Sequence, residues 1–344
     1  MNTPEILSAF SRLKALVIGD ICLDRWCTYD PAITEPSYET GIPRLGVVST
    51  QVTPGGGGTV ANNLASLGAG QVAVIGVRGD DGSGFELEQA LTLRGIAAGR
   101  MVKARNWQTF TYTKLLNGRT GEEDQPRVDF ISTRPLSSEA EQELIENILS
   151  AVPSFDIIIV ADQAETSAGG VVTTAVRDSI IRLAGKYPPK VFLADSRKRV
   201  HLFRKVILKP NRHEAEAASQ HLFGKVDFPA LRQHLEARVL MVTHGPKGAQ
   251  VIQDEGEVWA ETRPVENPVD ICGAGDSFAA ACALTLAVTG DPVIAARLGN
   301  LAASVTIMKK GTGTASPEEI LKAEQNLTAW HPSGHAGPAP HAAD

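Results

Sequence analysis

The sequence predicts an α/β fold: a doubly wound, mainly parallel sheet with helices on both faces, and a small β layer set apart from it. Three observations carry this. Ala15-Leu16-Val17-Ile18-Gly19-Asp20 is an unbroken apolar run ending at a polar turn, the pattern of a strand buried on both faces. From Asp156 onward, strand-like and helix-like segments alternate regularly, as parallel sheets with crossover helices require. Between residues 26 and 131, three strand-like patches break that alternation and group as the separate layer.

Taken in order, the first strand ends at Asp20. Residues 26–54 are rich in Pro, Thr, Tyr and Val without helical periodicity, and Arg44–Val52 reads as an exposed strand. Gly55–Gly68 is a Gly-rich loop opening a helix that Gly68 caps, followed by a strand at Val72–Gly76 and a helix at Gly84–Leu93. Gln108–Lys114 and Arg127–Ile131 are the other two patches. Then come strand Ile157–Val160, helix Val171–Ala184 and strands at Val191–Ala194, Val206–Leu208, Val239–Thr243 and Ala249–Gln253. Helices starting at Gly273, Asp291 and Ser316 complete the fold. Residues 1–330 are thus expected to form one domain with lid strands within 26–54 and 107–131. Residues 331–344, rich in Pro, Gly, Ala and His, are expected to be a disordered tail.

Composition narrows the function classes. Of the 344 residues, 43% are apolar and 21% charged, and the net charge of -6 comes from intermixed signs, which gives no electrostatic case for nucleic acid or an anionic membrane. Cys22, Cys27, Cys272 and Cys282 form no CxxC pair and sit in apolar surroundings, as free thiols in a reducing cytoplasm do. The segment Met1-Asn2-Thr3-Pro4-Glu5 has no signal-peptide pattern, and no apolar run approaches ~18–20 residues. A cytoplasmic protein is expected.

The chemistry centres on Asp270-Ile271-Cys272-Gly273-Ala274-Gly275-Asp276-Ser277-Phe278. This stretch runs into Ala279–Val288, free of Gly, Pro and charge, and Gly290 is a suitable C-cap. Gly273-Ala274-Gly275 should therefore form a helix's first turn, whose unpaired N–H groups and positive dipole end attract an anion. Asp276 in that turn suits the dipole but repels a phosphate, unless it accepts a proton or holds a metal. A base beside an anion hole is what phosphoryl transfer to a hydroxyl needs. The local residues alone leave both readings open, dipole partner or base.

The same stretch resembles the signature of the ribokinase-like (phosphofructokinase-B type) sugar kinases, with Ile271 where Thr or Val is usual. The resemblance implies that Asp276 is the catalytic base and that Gly273, Ala274 and Gly275 form the anion hole. It recurs in order along residues 13–316. Gly19-Asp20-Ile21-Cys22-Leu23-Asp24-Arg25-Trp26 is similar to the first-strand motif, which makes Asp24 the sugar-hydroxyl ligand. Pro54-Gly55-Gly56 to Gly68 is similar to the Gly-Gly motif, implying acceptor contacts from Gly56, Gly57, Thr59 and Asn63. Thr59 stands where that motif has Asn. Lys209-Pro210-Asn211-Arg212-His213-Glu214 resembles the Asn-x-x-Glu motif, implying that Asn211 and Glu214 position magnesium, through water. Val242–Ala249 resembles the nucleotide turn, implying ATP contacts from Thr243, Gly245 and Gly248, and Gly299-Asn300 with Lys310-Gly311-Thr312 resembles the segments beside adenine.

Within the family, Gly19–Trp26, Arg127–Phe130 and Lys310–Thr312 look most like the bacterial heptose-phosphate kinase branch. Pro36–Gly41 and Thr59 depart from it, and the nucleotidyltransferase domain often fused to that kinase is not expected in these residues. The resemblance therefore implies a ribokinase-like ATP- and magnesium-dependent kinase acting on a sugar or sugar phosphate. It also implies a potassium-type cation beside Asp270 and a homodimer paired through the lid. The rivals are a nucleoside kinase of the same fold, a non-catalytic sugar or nucleotide sensor that would not need Asp276 and Glu214, and a nicotinamide-dependent dehydrogenase. No GxGxxG between the first strand and helix supports the last.

Overall fold

The computed structural model describes residues 1–164 and 170–328. The expected tail at 331–344 lies outside them. Eight strands form the main sheet, in the order Gly256–Ala260, Ala249–Gln253, Leu240–Thr243, Ile207–Leu208, Val191–Ser196, Ile157–Asp162, Lys14–Gly19 and Gln71–Ile75. The pairs from Gln71–Ile75 to Leu240–Thr243 are parallel, and the last two pairs at the other edge are antiparallel. The doubly wound architecture is as expected, with two antiparallel strands added at one edge.

The continuous apolar runs follow from burial on both faces. Ala15 and Val17 pack on one face with the helices Gly57–Ser66 and Ala274–Thr289, while Leu16 and Ile18 pack on the other with Leu144, Ile148, Val176 and Ile180. The helix Ala274–Thr289 is buried from Ser277 to Leu286, as its lack of charge demands, and ends at Gly290 in the left-handed conformation (φ 68°). The helices Thr3–Ala9, Ser138–Ala151, Arg212–Phe223 and Phe228–His234 and the edge strand Gly256–Ala260 were not predicted from the sequence. Ser137 caps the second of these helices, its hydroxyl accepting from Ala140 N–H.

The separate layer is a four-stranded sheet in the order Val128–Phe130, Thr111–Asn117, Ile21–Tyr29 and Val47–Gly56. Three of its strands answer to the three expected patches, and the fourth, Ile21–Tyr29, was not expected. Gly19 has φ 132°, and a Cβ there would lie 2.2 Å from the Ala161 carbonyl oxygen, so the chain kinks and passes through Asp20 directly into the lid strand Ile21–Tyr29. Asp24 therefore stands on the lid, opposite Thr53 on one side and Tyr112 on the other.

Candidate active site

The turn at Gly273 has the predicted form. Gly273 is the N-cap of the buried helix, in the left-handed region at φ 79°, with Ser277 N–H donating to its carbonyl. Asp270 closes the turn: Oδ1 accepts from Cys272 N–H at 2.9 Å and Oδ2 from Gly311 N–H at 3.1 Å. Asp276 follows in the first helical turn. Burial, reinforced by the charge of Asp195, pushes its carboxyl from 3.8 up to about 7, against the pull of Lys209 and Arg197.

Lys209 was not assigned a role from the sequence, although it opens the Lys209–Glu214 motif. It is 3% exposed, and its Nζ lies 3.0 Å from Asp195. Burial works against its charge, but Asp195, Glu214 and Asp276 outweigh burial and raise its pKa. A Cβ placed on Gly275 would lie 3.5 Å from that ammonium, so a cation stands beside the start of the buried helix.

Two cavities meet here. The first, of about 270 Å³, lies between the lid and the main sheet and is lined by Asp24, Thr59, Tyr112, Lys114 and Arg127 among others. The second, of about 870 Å³, runs along the carboxyl ends of the parallel strands and includes Lys209, Asn211, Glu214, Thr243 and Gly245. Gln163, Arg197, Gly273 and Asp276 line both. Ala274 and Gly275 line only the second.

In the first cavity, burial raises Asp24 from 3.8 to about 6, opposed by Lys114, Arg127 and Arg197. Gly55 presses on that carboxylate so closely that a Cβ would sit 2.3 Å from Oδ1. Gly56, at φ 54°, is on the wall. Gly57 is not: it packs against Ile21 and Ala161. Thr59 is on the wall, but its hydroxyl donates to the Pro54 carbonyl at 3.3 Å, and its methyl lies 3.3 Å from where a Cβ on Gly273 would be. Asn63 lies behind it, fully buried, with Nδ2 donating to the Thr59 carbonyl and Oδ1 unpartnered. The wall carries Gly56 and Thr59 but not Gly57 or Asn63.

In the second cavity, Asn211 and Glu214 form a capping box on the helix Arg212–Phe223. Asn211 Oδ1 accepts from Glu214 N–H at 2.9 Å, and Glu214 Oε2 from Asn211 N–H at 2.8 Å. The box uses one carboxylate oxygen, and burial followed by Asp195 raises the Glu214 pKa. Among the described residues no group of three or more His, Cys, Asp or Glu could hold a metal ion. A cation kept largely in its own water shell, leaning on one carboxylate and one amide, fits this donor set. Gly248 and Asn300 do not line the cavity. A Cβ on Gly248 (φ 91°) would meet the Ala260 carbonyl oxygen at 2.3 Å, and Asn300 Nδ2 donates to that same oxygen at 2.8 Å, so both fix the backbone behind the Thr243–Gly245 turn.

Known proteins resemble this chain along most of its length. The family model described as pfkB family carbohydrate kinase matches residues 13–319. The chain is 30% identical over 336 residues to the bifunctional protein HldE of Trichlorobacter lovleyi, covering 94% of this chain and 66% of that one. It is 28% identical to HldE of Rhodopseudomonas palustris, covering 96% and 69%. It thus spans about two thirds of the length of these relatives. Escherichia coli phosphofructokinase-2 in complex with potassium superposes with a TM-score of 0.69 at 20% identity, over 92% of this chain and 99% of that one. Arabidopsis thaliana ribokinase complexed with ribose and ATP gives 0.63 at 19%, over 90% and 98%. These likenesses show a ribokinase-like fold.

Proposed function

The chain belongs to the pfkB family of carbohydrate kinases, and from that premise we propose that it transfers the γ-phosphate of ATP to a hydroxyl of a sugar phosphate. One observation carries the reading: Gly273 and Asp276 lie on the wall of both cavities, the one place where an acceptor on Asp24 and a triphosphate on Gly273-Ala274-Gly275 can touch. Asp276 takes the acceptor hydroxyl's proton as the new O–P bond forms. The bond from γ-phosphorus to the β–γ bridging oxygen breaks, and its electron pair leaves on ADP. A carboxyl titrating near 7 is suited to that exchange at neutral pH. The backbone N–H groups at the helix start stabilise the developing charge.

Basic side chains on the acceptor cavity favour an acceptor that carries its own phosphate. Asp24 is suited to hydroxyls, and Lys114 and Arg127, paired with Glu123 and Asp129, bring to the same small cavity two cations that an acceptor phosphate would draw on. Magnesium, held through water by Asn211 and Glu214, would neutralise the β- and γ-phosphate oxygens. A potassium-type ion beside Asp270 would steady the turn at Gly273 from outside, and the phosphofructokinase-2 neighbour is itself a complex with potassium. Exposed Val47, Val48, Val128 and Phe130 on the lid favour pairing with a second copy. ADP release across a panel of sugars, sugar phosphates and nucleosides tests the reading. Sugar phosphates should be preferred, and a preference for neutral sugars or nucleosides would refute the charge argument.

A further inference from the structure

One polar side chain is built into the junction of the two cavities with half of its hydrogen-bonding capacity unused. Gln163 is 8% exposed and lines both cavities, as Asp276 does. It follows directly on the buried strand Ile157–Asp162, and the buried carboxylate of Asp20 holds its backbone. Asp20 Oδ2 accepts from Gln163 N–H and Ala164 N–H, both at 2.8 Å, and Oδ1 accepts from Val171 N–H at 2.8 Å.

The side chain is oriented as firmly. Arg197 Nε donates to Gln163 Oε1 at 2.8 Å, and Arg197 N–H donates to the Asp162 carbonyl at 3.1 Å, so both sides of that contact are tied to backbone. A guanidinium can only donate, which fixes the amide with its oxygen toward Arg197 and its nitrogen away. Nε2 has no partner among the described residues, yet it is not sealed in the core as Asn63 Oδ1 is. Its two N–H bonds therefore open onto cavity space. This donor differs in kind from the other polar groups on the acceptor cavity. Ionised Asp24 only accepts, the Thr59 hydroxyl is committed to Pro54, and Lys114 and Arg127 are cations paired with Glu123 and Asp129. Being uncharged, the amide leaves the raised pKa of Asp276 to burial and Asp195.

We propose that Gln163 is a specificity-determining residue whose Nε2 donates to the acceptor oxygen on the carbon next to the reacting hydroxyl. This rests on the phosphoryl-transfer reading above. The reacting hydroxyl has to lie where Asp276 can take its proton, at the junction of the cavities. The oxygen on the adjacent carbon then lies at the same end of the acceptor cavity, within the reach of a residue that lines that junction. Asp24 and Gln163 read complementary features: one takes a hydrogen bond from an acceptor hydroxyl, the other gives one to an acceptor oxygen. An acceptor lacking that oxygen would leave a donor on a nine-tenths-buried residue unpaired, and this is the source of the discrimination.

ADP release tests it, with the best acceptor of the panel and with the analogues of that acceptor deoxygenated at each carbon beside the phosphorylated one. In wild type one analogue should lose about 10–100-fold in kcat/KM relative to the parent acceptor, the cost of leaving the donor unpaired. Gln163→Ala should lose about as much on the parent, and its preference for the parent over that analogue should shrink to less than about threefold. Gln163→Met, which keeps the side-chain volume without the donor, should behave the same way and carries the test if the alanine variant fails to fold. A residue that served only to hold Arg197 would lower both acceptors alike and keep the ratio between them. A wild-type preference surviving in either variant, or a wild-type enzyme that uses every analogue as well as the parent, would overturn the proposal. The kinase reading fails separately: if no acceptor supports ADP release, or if Asp276→Asn keeps wild-type turnover, that reading falls and this one with it. If Asp276→Asn is inactive and the preference survives without Gln163, only the role of Gln163 falls.

Discussion

Replacing Asp276 with Asn should produce a protein that is more stable and far less active than wild type, and the two effects can be sized from the site. In the folded protein burial and Asp195 move this carboxyl from 3.8 to about 7. Because the folded value is raised, the folded state binds the proton more tightly than the unfolded one. Its stabilising effect is complete below 3.8, declines as pH rises through that window, and is gone above about 7. The gap is worth about 4 kcal/mol at most, an upper bound because Asp276 borders two cavities open to solvent, which screens the charge. Asparagine cannot ionise and carries no such cost, while losing a dipole partner costs it only about 0.3–1 kcal/mol. The variant's advantage in thermal midpoint should therefore be small at pH 5 and grow to several degrees at pH 8. Turnover, measured as ADP release, should fall about 10²–10⁴-fold, with ATP binding at least as tight as in wild type. A variant less stable than wild type at pH 8 would show that the carboxylate is there to cap the helix. A stable, ATP-binding variant keeping more than about a tenth of wild-type turnover would remove Asp276 as the base.

Other consequences follow from the same geometry. The rate should rise with pH along a limb centred near 7 and level off above it, and Asp195→Asn should move that limb to lower pH by removing the charge that repels the Asp276 proton loss; a limb unmoved by Asp195→Asn would assign it to another group. Glu214→Gln should raise the magnesium concentration needed for half-maximal turnover without unfolding the protein, since the Asn211 half of the capping box survives; unchanged magnesium dependence would take Glu214 out of the site. Lys114→Ala and Arg127→Ala should raise KM for a phosphorylated acceptor by about tenfold, for about 1.5 kcal/mol of lost charge-assisted bonding, and leave a neutral sugar's KM alone; equal effects on both acceptors would count against an acceptor phosphate. Thr59→Asn should change the ranking of acceptors in the panel, because the Thr59 hydroxyl is committed to Pro54 and only its methyl is near Gly273; an unchanged ranking would show that this position does not sense the acceptor.

How legible all this was depends on whether a residue's role is set locally. Gly273 and Asp276 could be read directly because a helix start makes its own chemistry: a left-handed glycine, a row of free N–H groups and a carboxylate one turn in. Asn211 and Glu214 were legible for the same reason, as a spacing of three that also makes a capping box. Lys209, Gln163 and Arg197 were not. Each sits just past a different strand of the parallel sheet, and only strand order brings them to one junction. A lysine entering a helix motif straight from a buried strand was the one available signal for Lys209. Motif membership also overreached: Gly57, Asn63, Gly248 and Asn300 belong to the right segments, yet each spends its geometry on backbone or core contacts behind the wall. The lid strand Ile21–Tyr29 escaped notice because Asp24 and Arg25 in its middle do not look like a strand. A glycine at φ 132° alone marks where sheet becomes lid.

That junction constrains how the lid can move. Asp20 is fixed to the main sheet by its own N–H, which donates to the Ala161 carbonyl at 2.9 Å, by its carbonyl, which accepts from Gly57 N–H at 2.9 Å, and by three bonds to its carboxylate. Asp24 is four residues further along a strand that is paired on both sides from Leu23 to Tyr29. A hinge between sheet and lid at this point would have to break bonds to a buried carboxylate, at about 1–3 kcal/mol for each group left unpaired. Asp24 is thus held in register with Asp276 by the main sheet itself, and closure of the lid would have to come from its far end, beyond Tyr29, where Thr34–Gly46 contributes only a two-residue strand pair. On the proposed kinase reading, an acceptor positioned at the rigid end and water excluded at the far end would separate two demands that a uniformly mobile lid would set against each other.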